Sequence, residues 1–182
     1  MYTILVCGGL GTGKTTLRRR APKYFRPLLG DTAVMGIDDL YTMIDPDWSL
    51  QDGDWGKVAM EHSRLLAESF FQRGVKVVLI EGNGLHYAEF VDQYRVQLSP
   101  VSHVYHFTLD VALETVVERI RKRGDLKAHP PDFLSSWLEH VREHRADWTH
   151  VIDTTELTPE DVLGVIYQRI QNREGVLTEA VQ

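Results

Sequence analysis

The sequence predicts an α/β protein in which a parallel β-sheet carries helices on both faces. Three observations predict it. Short apolar runs rich in β-branched residues recur along the chain, longer stretches with helical spacing separate them, and the first run passes through a glycine-rich turn directly into a helical stretch. Runs that are apolar throughout suit strands buried on both faces, and their alternation with helices suits parallel crossovers.

Four runs read as strands: Tyr2–Cys7 (YTILVC), Val75–Ile80 (VKVVLI), Ser102–Leu109 (SHVYHFTL) and the less regular Thr149–Asp153 (THVID). A weaker fifth, Thr32–Ile37, ends in the pair Asp38–Asp39. Among the helices, the segment from Asp54 to Gly74 places Val58, Leu65, Leu66, Ser69 and Phe70 on one side, with Gly74 as a suitable C-cap. DVALETVVERIRKRG runs from Asp110 as N-cap to cationic residues and Gly124, in agreement with the helix dipole. Thr158-Pro159-Glu160-Asp161 opens a further helix. With no internal repeat or low-complexity linker, the 182 residues read as one domain, 1–182, with a frayed tail over about 172–182.

Composition narrows the class. A formal net charge of -6 disfavours a long polyanion, so nucleic acid is an unfavoured partner. Cys7 is the single cysteine, which excludes an intramolecular disulfide and suits a reducing compartment. No apolar run approaches the roughly 20 residues of a membrane span. A cytoplasmic protein without membrane contact is expected, and a homo-oligomer is left open.

The chemistry begins at VCGGLGTGKTT, Val6–Thr16. Gly8, Gly13, Lys14 and Thr15 fit G-x-x-x-x-G-K-[ST], between a strand and a helix as the mechanism needs. In this phosphate cradle Gly8, Gly9, Gly11, Thr12, Gly13, Lys14, Thr15 and Thr16 would hold the nucleotide. Lys14 would reach the β- and γ-phosphates, and the Thr15 hydroxyl would bind Mg²⁺. The Asn-Lys-x-Asp segment of a switch GTPase is absent.

The layout resembles the small P-loop kinases related to nucleoside monophosphate kinases, and within them the chloramphenicol phosphotransferase-like family. Gluconate and shikimate kinases are more distant. The resemblance covers about residues 1–170, with the P-loop as its specific motif. It implies a three-layer P-loop fold with a five-stranded parallel sheet in the order 2-3-1-4-5. It also implies an arginine-bearing lid, here about 124–131, and ATP and Mg²⁺ as cofactors.

In GIDDLYTMI, Asp38 stands where that family carries the Asp taken as general base; Asp38 or Asp39 could instead cap a helix starting at Leu40. Glu81, ending VVLIE, occupies the place of the acid that holds the metal's water shell. Gly82, Asn83 and Gly84 would give backbone freedom beside the acceptor, and His86 and Tyr87 could face it, though a surface helix start explains them equally well. Arg119 and Arg123 match a pair of arginines four apart before Gly-Asp. The resemblance implies that Arg119 stacks on adenine and that Arg123 approaches the transferring phosphate. Thr154 would approach the base.

From Asp31 to Ser63 there is no arginine and Lys57 is the only lysine, while Asp38, Asp39, Asp45, Asp47, Asp52 and Asp54 crowd the segment beside Met43, Trp48 and Trp55. An anionic acceptor would be repelled, so a small, non-anionic hydroxyl compound is expected. Alternatives are a nucleoside or polynucleotide 5′-hydroxyl kinase, for which the basic run RRRAPKYFR would speak were it not better explained as a solvated face of the first helix, and a non-catalytic ATP-binding regulatory module. His140 and His144 also fit H-x-x-E-H, and on a helix they would share a face, where they could bind one metal. A solvated helix face explains them as well.

Overall fold

The computed structural model describes residues 1–46 and 55–177. Its sheet has five strands: β1 (Tyr2–Gly8), β2 (Thr32–Gly36), β3 (Val77–Glu81), β4 (His103–Asp110) and β5 (His150–Asp153). All pair in parallel, in the order β2-β3-β1-β4-β5, so β1 is central. Tyr2 stands opposite Val77 on one side and His103 on the other, which brings the starts of β1, β3 and β4 level. All five expected strands are present, displaced by at most two residues at either end.

Alternation along β1 assigns the two faces. Ile4 and Val6 pack with Leu17 and Phe25 of α1 (Lys14–Leu29) and with Leu163 and Ile166 of α7 (Pro159–Gln171). Leu5 and Cys7 point the other way, towards Met60 and Phe71 of α3 (Trp55–Gln72) and Tyr94 of α4 (Ala88–Leu98). Each large side chain buried in this way contributes about 1.5–3 kcal/mol. A third, separate cluster lies between α5 (Leu113–Arg123) and α6 (Pro131–His144): Val116 and Ile120 meet Leu134 and Leu138, and Leu10 of the phosphate loop packs on them. Cys7 itself is fully buried, and its Sγ lies 3.1 Å from Thr108 Oγ1.

Local chemistry explains most element ends. Thr158 caps α7 in a reciprocal box with Asp161, as expected. Gly124 ends α5 in the left-handed conformation, so the Arg-Gly-Asp triplet is a helix end. Four expectations are corrected. Asp110 does not cap α5, because it is the last residue of β4; the N-cap is Ala112. The buried face of α3 is Ala59, Met60, Ser63, Ala67 and Phe71, while Leu65 and Leu66 are 47% and 40% exposed. Positions 59, 63 and 67 follow the helical period and are small, which seats the helix close to its neighbours. Asp38 lies not at a strand end but in the first turn of α2 (Ile37–Thr42), whose N-cap is Gly36 and which therefore does not start at Leu40. The tail is not frayed up to Leu177: Val176 bridges to Tyr105 and the Leu177 amide donates to Val104 O at 2.9 Å. Four-residue β5 pairs only with the C-terminal half of β4, and these residues use the half it leaves.

Candidate active site

The C-terminal ends of β1, β3 and β4 and the start of α1 meet around a cavity of about 580 Å³. The phosphate loop joins β1 to α1. Gly13, its last residue, has a φ of 102°, in the left-handed region where a side chain would be strained, and it is the N-cap of α1 with no side chain capping it. The first-turn amides of α1 thus lie next to the cavity, with the positive end of the helix dipole. Lys14 is 8% exposed, and its Nζ donates to Gly8 O at 2.7 Å and Gly9 O at 2.9 Å. Burial lowers its pKa, with the carboxylates of Glu81 and Asp38 pulling the other way. Gly11, Thr12, Gly13, Thr15 and Thr16 line the cavity with Lys14.

One wall is acidic. Asp38 and Glu81, brought in by α2 and β3, both line the cavity. Burial raises both pKa values, opposed in each case first by Lys14. Thr15 Oγ1 donates to Glu81 Oε1 at 3.4 Å. A hydroxyl and one carboxylate at that spacing fit Mg²⁺, which keeps most of its waters and takes few protein ligands. Sequence reasoning missed Arg18. It sits four residues after Lys14, one helical turn on, and its side chain is only 12% exposed. It pairs with Asp39 and its Nε lies 3.5 Å from Glu81 Oε1. The first basic residue of RRRAPKYFR therefore turns inward, and the acceptor half does contain a cation, compensated by two carboxylates. Gly82 has an extended backbone, φ −179°, and needs no special conformation; a Cβ there would meet Ile37 at 2.7 Å, so the requirement is space. Met43 is exposed, whereas Asp47, Trp48, Asp52, Asp54 and the side chain of Trp55 lie outside the described residues.

The opposite wall is cross-linked. Arg119 Nη2 donates to Thr154 O at 2.7 Å and Nη1 to Gly11 O at 3.3 Å. Thr154 Oγ1 lies 3.2 Å from Thr12 O and 3.0 Å from Asp110 O. Arg119 and Thr154 line the cavity beside Leu157, Pro159 and Val162, an apolar surface suited to a base. Arg123 also lines it, but is 64% exposed and pairs with Asp125, Nε to Oδ2 3.3 Å. The segment expected as a lid is a short turn in which the Ala128 and His129 amides donate to Asp125 O, followed at Pro131 by α6. His140 and His144 do share a face of α6, with ring centroids 4.1 Å apart, but His140 Nε2 lies 2.9 Å from Tyr87 OH. No group of three His, Cys, Asp or Glu that could hold a metal occurs among the described residues.

Of the residues expected in the site, Gly11 to Thr16, Asp38, Glu81, Asn83, Arg119, Arg123 and Thr154 line this cavity and Gly8 and Gly9 hold Lys14, whereas Gly82, Gly84, His86 and Tyr87 do not line it. Among solved structures, the chain is similar to a sugar kinase from Janibacter sp. HTCC2649 (18% identity over 98% of this chain and 99% of that one, TM-score 0.65). It is similar also to the tunicamycin resistance protein of Deinococcus radiodurans (17%, 94% and 96%, 0.62). A third is shikimate kinase from Acinetobacter baumannii in complex with shikimate (20%, 94% and 94%, 0.57). The fold is that of the P-loop kinases. No protein-family model matches the sequence, and no curated protein matches it. No helix among the described residues is long and apolar enough to cross a membrane.

Proposed function

We propose that the chain is an ATP- and Mg²⁺-dependent kinase that transfers the γ-phosphate to a hydroxyl of a small, non-anionic molecule. The observation that carries this reading is that Asp38 opens onto the same cavity as Lys14, Thr15 and Glu81. A cradle alone binds a nucleotide; a carboxylate beside it gives an acceptor hydroxyl somewhere to lose its proton. The P-loop kinase fold and the neighbours whose names are sugar kinase and tunicamycin resistance protein support a metabolite-like or antibiotic-like acceptor.

In this reading Lys14 and the loop amides hold the phosphates, and Arg119 and Thr154 form the base side. Thr15 and Glu81 would hold Mg²⁺, which when bound would offset the negative charge of the phosphates. Asp38 accepts the hydroxyl proton as the acceptor oxygen bonds to the γ-phosphorus and the bond from that phosphorus to the bridging oxygen breaks, releasing ADP. Arg123, exposed at the rim, swings onto the transferring group and helps exclude water. Arg18 leaves no net positive charge for an anionic acceptor, because Asp39 and Glu81 engage it.

The test is ADP release from Mg-ATP with a panel of antibiotics, sugars and nucleosides and a short 5′-hydroxyl oligonucleotide, with mass detection of product and Asp38→Asn in parallel. The expected result is phosphorylation of one neutral class that Asp38→Asn abolishes. Transfer by Asp38→Asn at the wild-type rate would remove Asp38 as the base, and ATP binding without transfer to any member would favour the regulatory module.

A further inference from the structure

The acceptor side holds polar atoms that the fold leaves without partners. Among the described residues, Asn83 Oδ1, His86 Nε2 and Trp137 Nε1 are buried and make no hydrogen bond. Protein interiors pair nearly all such atoms, so three in one place call for a cause. They are in one place. His86, 2% exposed, sits in the 3₁₀ turn Asn83–His86 with its Nδ1 against Asn83 O, and its ring lies 6.2 Å from Trp137, edge to face. Asn83 lines the cavity with Asp38 and Glu81. Trp137 stands over the opening of the phosphate loop: a Cβ on Gly9 would meet Leu138 at 2.7 Å and Trp137 Cδ1 at 3.6 Å. Of the remaining unpartnered atoms, those of His103 and His150 lie on β4 and β5, His106 of β4 lies against Leu85 and His86 of the same turn, and Arg145, which bridges to Tyr87, faces Asp110 at 3.6 Å.

The set has a definite chemistry. With Nδ1–H donating to Asn83 O, His86 Nε2 presents a lone pair; Asn83 Oδ1 is also an acceptor, and Trp137 Nε1–H can only donate. Two acceptors and one donor match neighbouring hydroxyl groups, each of which both donates and accepts. Trp137 is held for the task by stacking on His140 at 5.3 Å and Phe133 at 6.5 Å, and its ring offers an apolar face to the C–H groups of a ring compound. A carboxylate or phosphate would meet two lone pairs here and no cation from these residues.

We propose that Asn83, His86 and Trp137 form the acceptor subsite and that the acceptor is a neutral ring compound with adjacent hydroxyls, a sugar or the ribose of a nucleoside. This rests on the phosphotransfer reading above. Because Trp137 and His140 of α6 pack against His86, entry of the acceptor parts α6 from the 3₁₀ turn and breaks the Tyr87–His140 hydrogen bond.

The test reads binding first, by the indole ¹H–¹⁵N resonances of the full chain. There are four tryptophans, and Trp137→Phe, which keeps the stacked ring, assigns the one that matters. Glucose, myo-inositol, adenosine, cyclohexanol and cyclohexanecarboxylate are titrated with and without Mg²⁺ and a non-hydrolysable ATP analogue. The expected result is a shift of the Trp137 resonance by a diol-bearing ring and by neither cyclohexane compound, with Kd weakened about tenfold in Asn83→Leu. Glucose or inositol against adenosine separates the two sources. Silence of that resonance towards every polyol, in both nucleotide states, overturns the proposal. So does phosphorylation of an acceptor with KM unchanged in Trp137→Phe and Asn83→Leu, which would leave the kinase reading standing. A polyol that binds at Trp137 but receives no phosphate upholds the subsite and sinks the kinase reading instead.

Discussion

On the side of the cleft proposed for the base, Arg119, Thr154 and the phosphate loop bond one another across three elements, whereas on the side proposed for the acceptor Asn83, His86 and Trp137 carry buried hydrogen-bonding atoms without a partner. The base side is complete without its ligand, and binding there adds contacts to a shape already fixed. The acceptor side carries a desolvation cost that only a ligand offsets. On the proposed function, the difference teaches where each specificity would reside: a common nucleotide would be met by a rigid frame, and the particular acceptor by atoms reserved for it.

The sharpest break of the comparison comes from one substitution on each side. Asp38→Asn is expected to lower kcat by about 10²–10⁴-fold with ATP affinity unchanged. Arg119→Ala should weaken ATP binding roughly tenfold with a smaller effect on the chemical step, because it loosens the link between Gly11 and Thr154. Single-turnover kinetics beside nucleotide titration separate the two; matching losses in both variants would mean that the sides act as one unit.

Glu81→Gln tests the hinge between the sides. The expected effect is a roughly tenfold higher Mg²⁺ requirement, read from activity against free Mg²⁺, with metal-free nucleotide affinity held. The smallest effect concerns pH. Burial holds Asp38 and Glu81 above the ordinary carboxylate range, and both must be ionised to act. Activity should therefore fall on an acid limb above that range, and Asp38→Asn should remove its share of the limb. Stability runs the other way. A group whose folded pKa is raised takes up protons more readily when folded, so its contribution to stability declines as pH rises through that window. Thermal unfolding of the nucleotide-free chain should accordingly show Asp38→Asn slightly more stable than the parent at neutral pH.

The two sides also differed in how far they could be read from sequence. Gly8 to Thr16 are contiguous, so the strand, the turn and the helix that make the cradle all stand in one string. Glu81 was placed by ending a run of buried residues. Arg18 was missed although its spacing from Lys14 offered the signal, because its partners come from separate elements, Asp39 from α2 and Glu81 from β3. Trp137 was not legible as a neighbour of the cleft: only the packing of α6 against the 3₁₀ turn sets it beside His86 and Gly9. The face of α3 was misread because leucines drew attention, whereas the fold needed small residues at 59, 63 and 67 and tolerated Leu65 and Leu66 in solvent.

Cys7 carries a consequence of its own. It is the chain's one thiol, fully buried near the end of the central strand just before the phosphate loop, and burial pushes it up to about 11. A thiol held in that state is inert to alkylating reagents. Its modification rate is then a clock for the parting of β1 from its neighbours, running in the unaltered protein without an attached label. Any molecule that binds only the folded chain slows that clock. A mass shift on a single residue thus turns the search for ligands into a measurement of time.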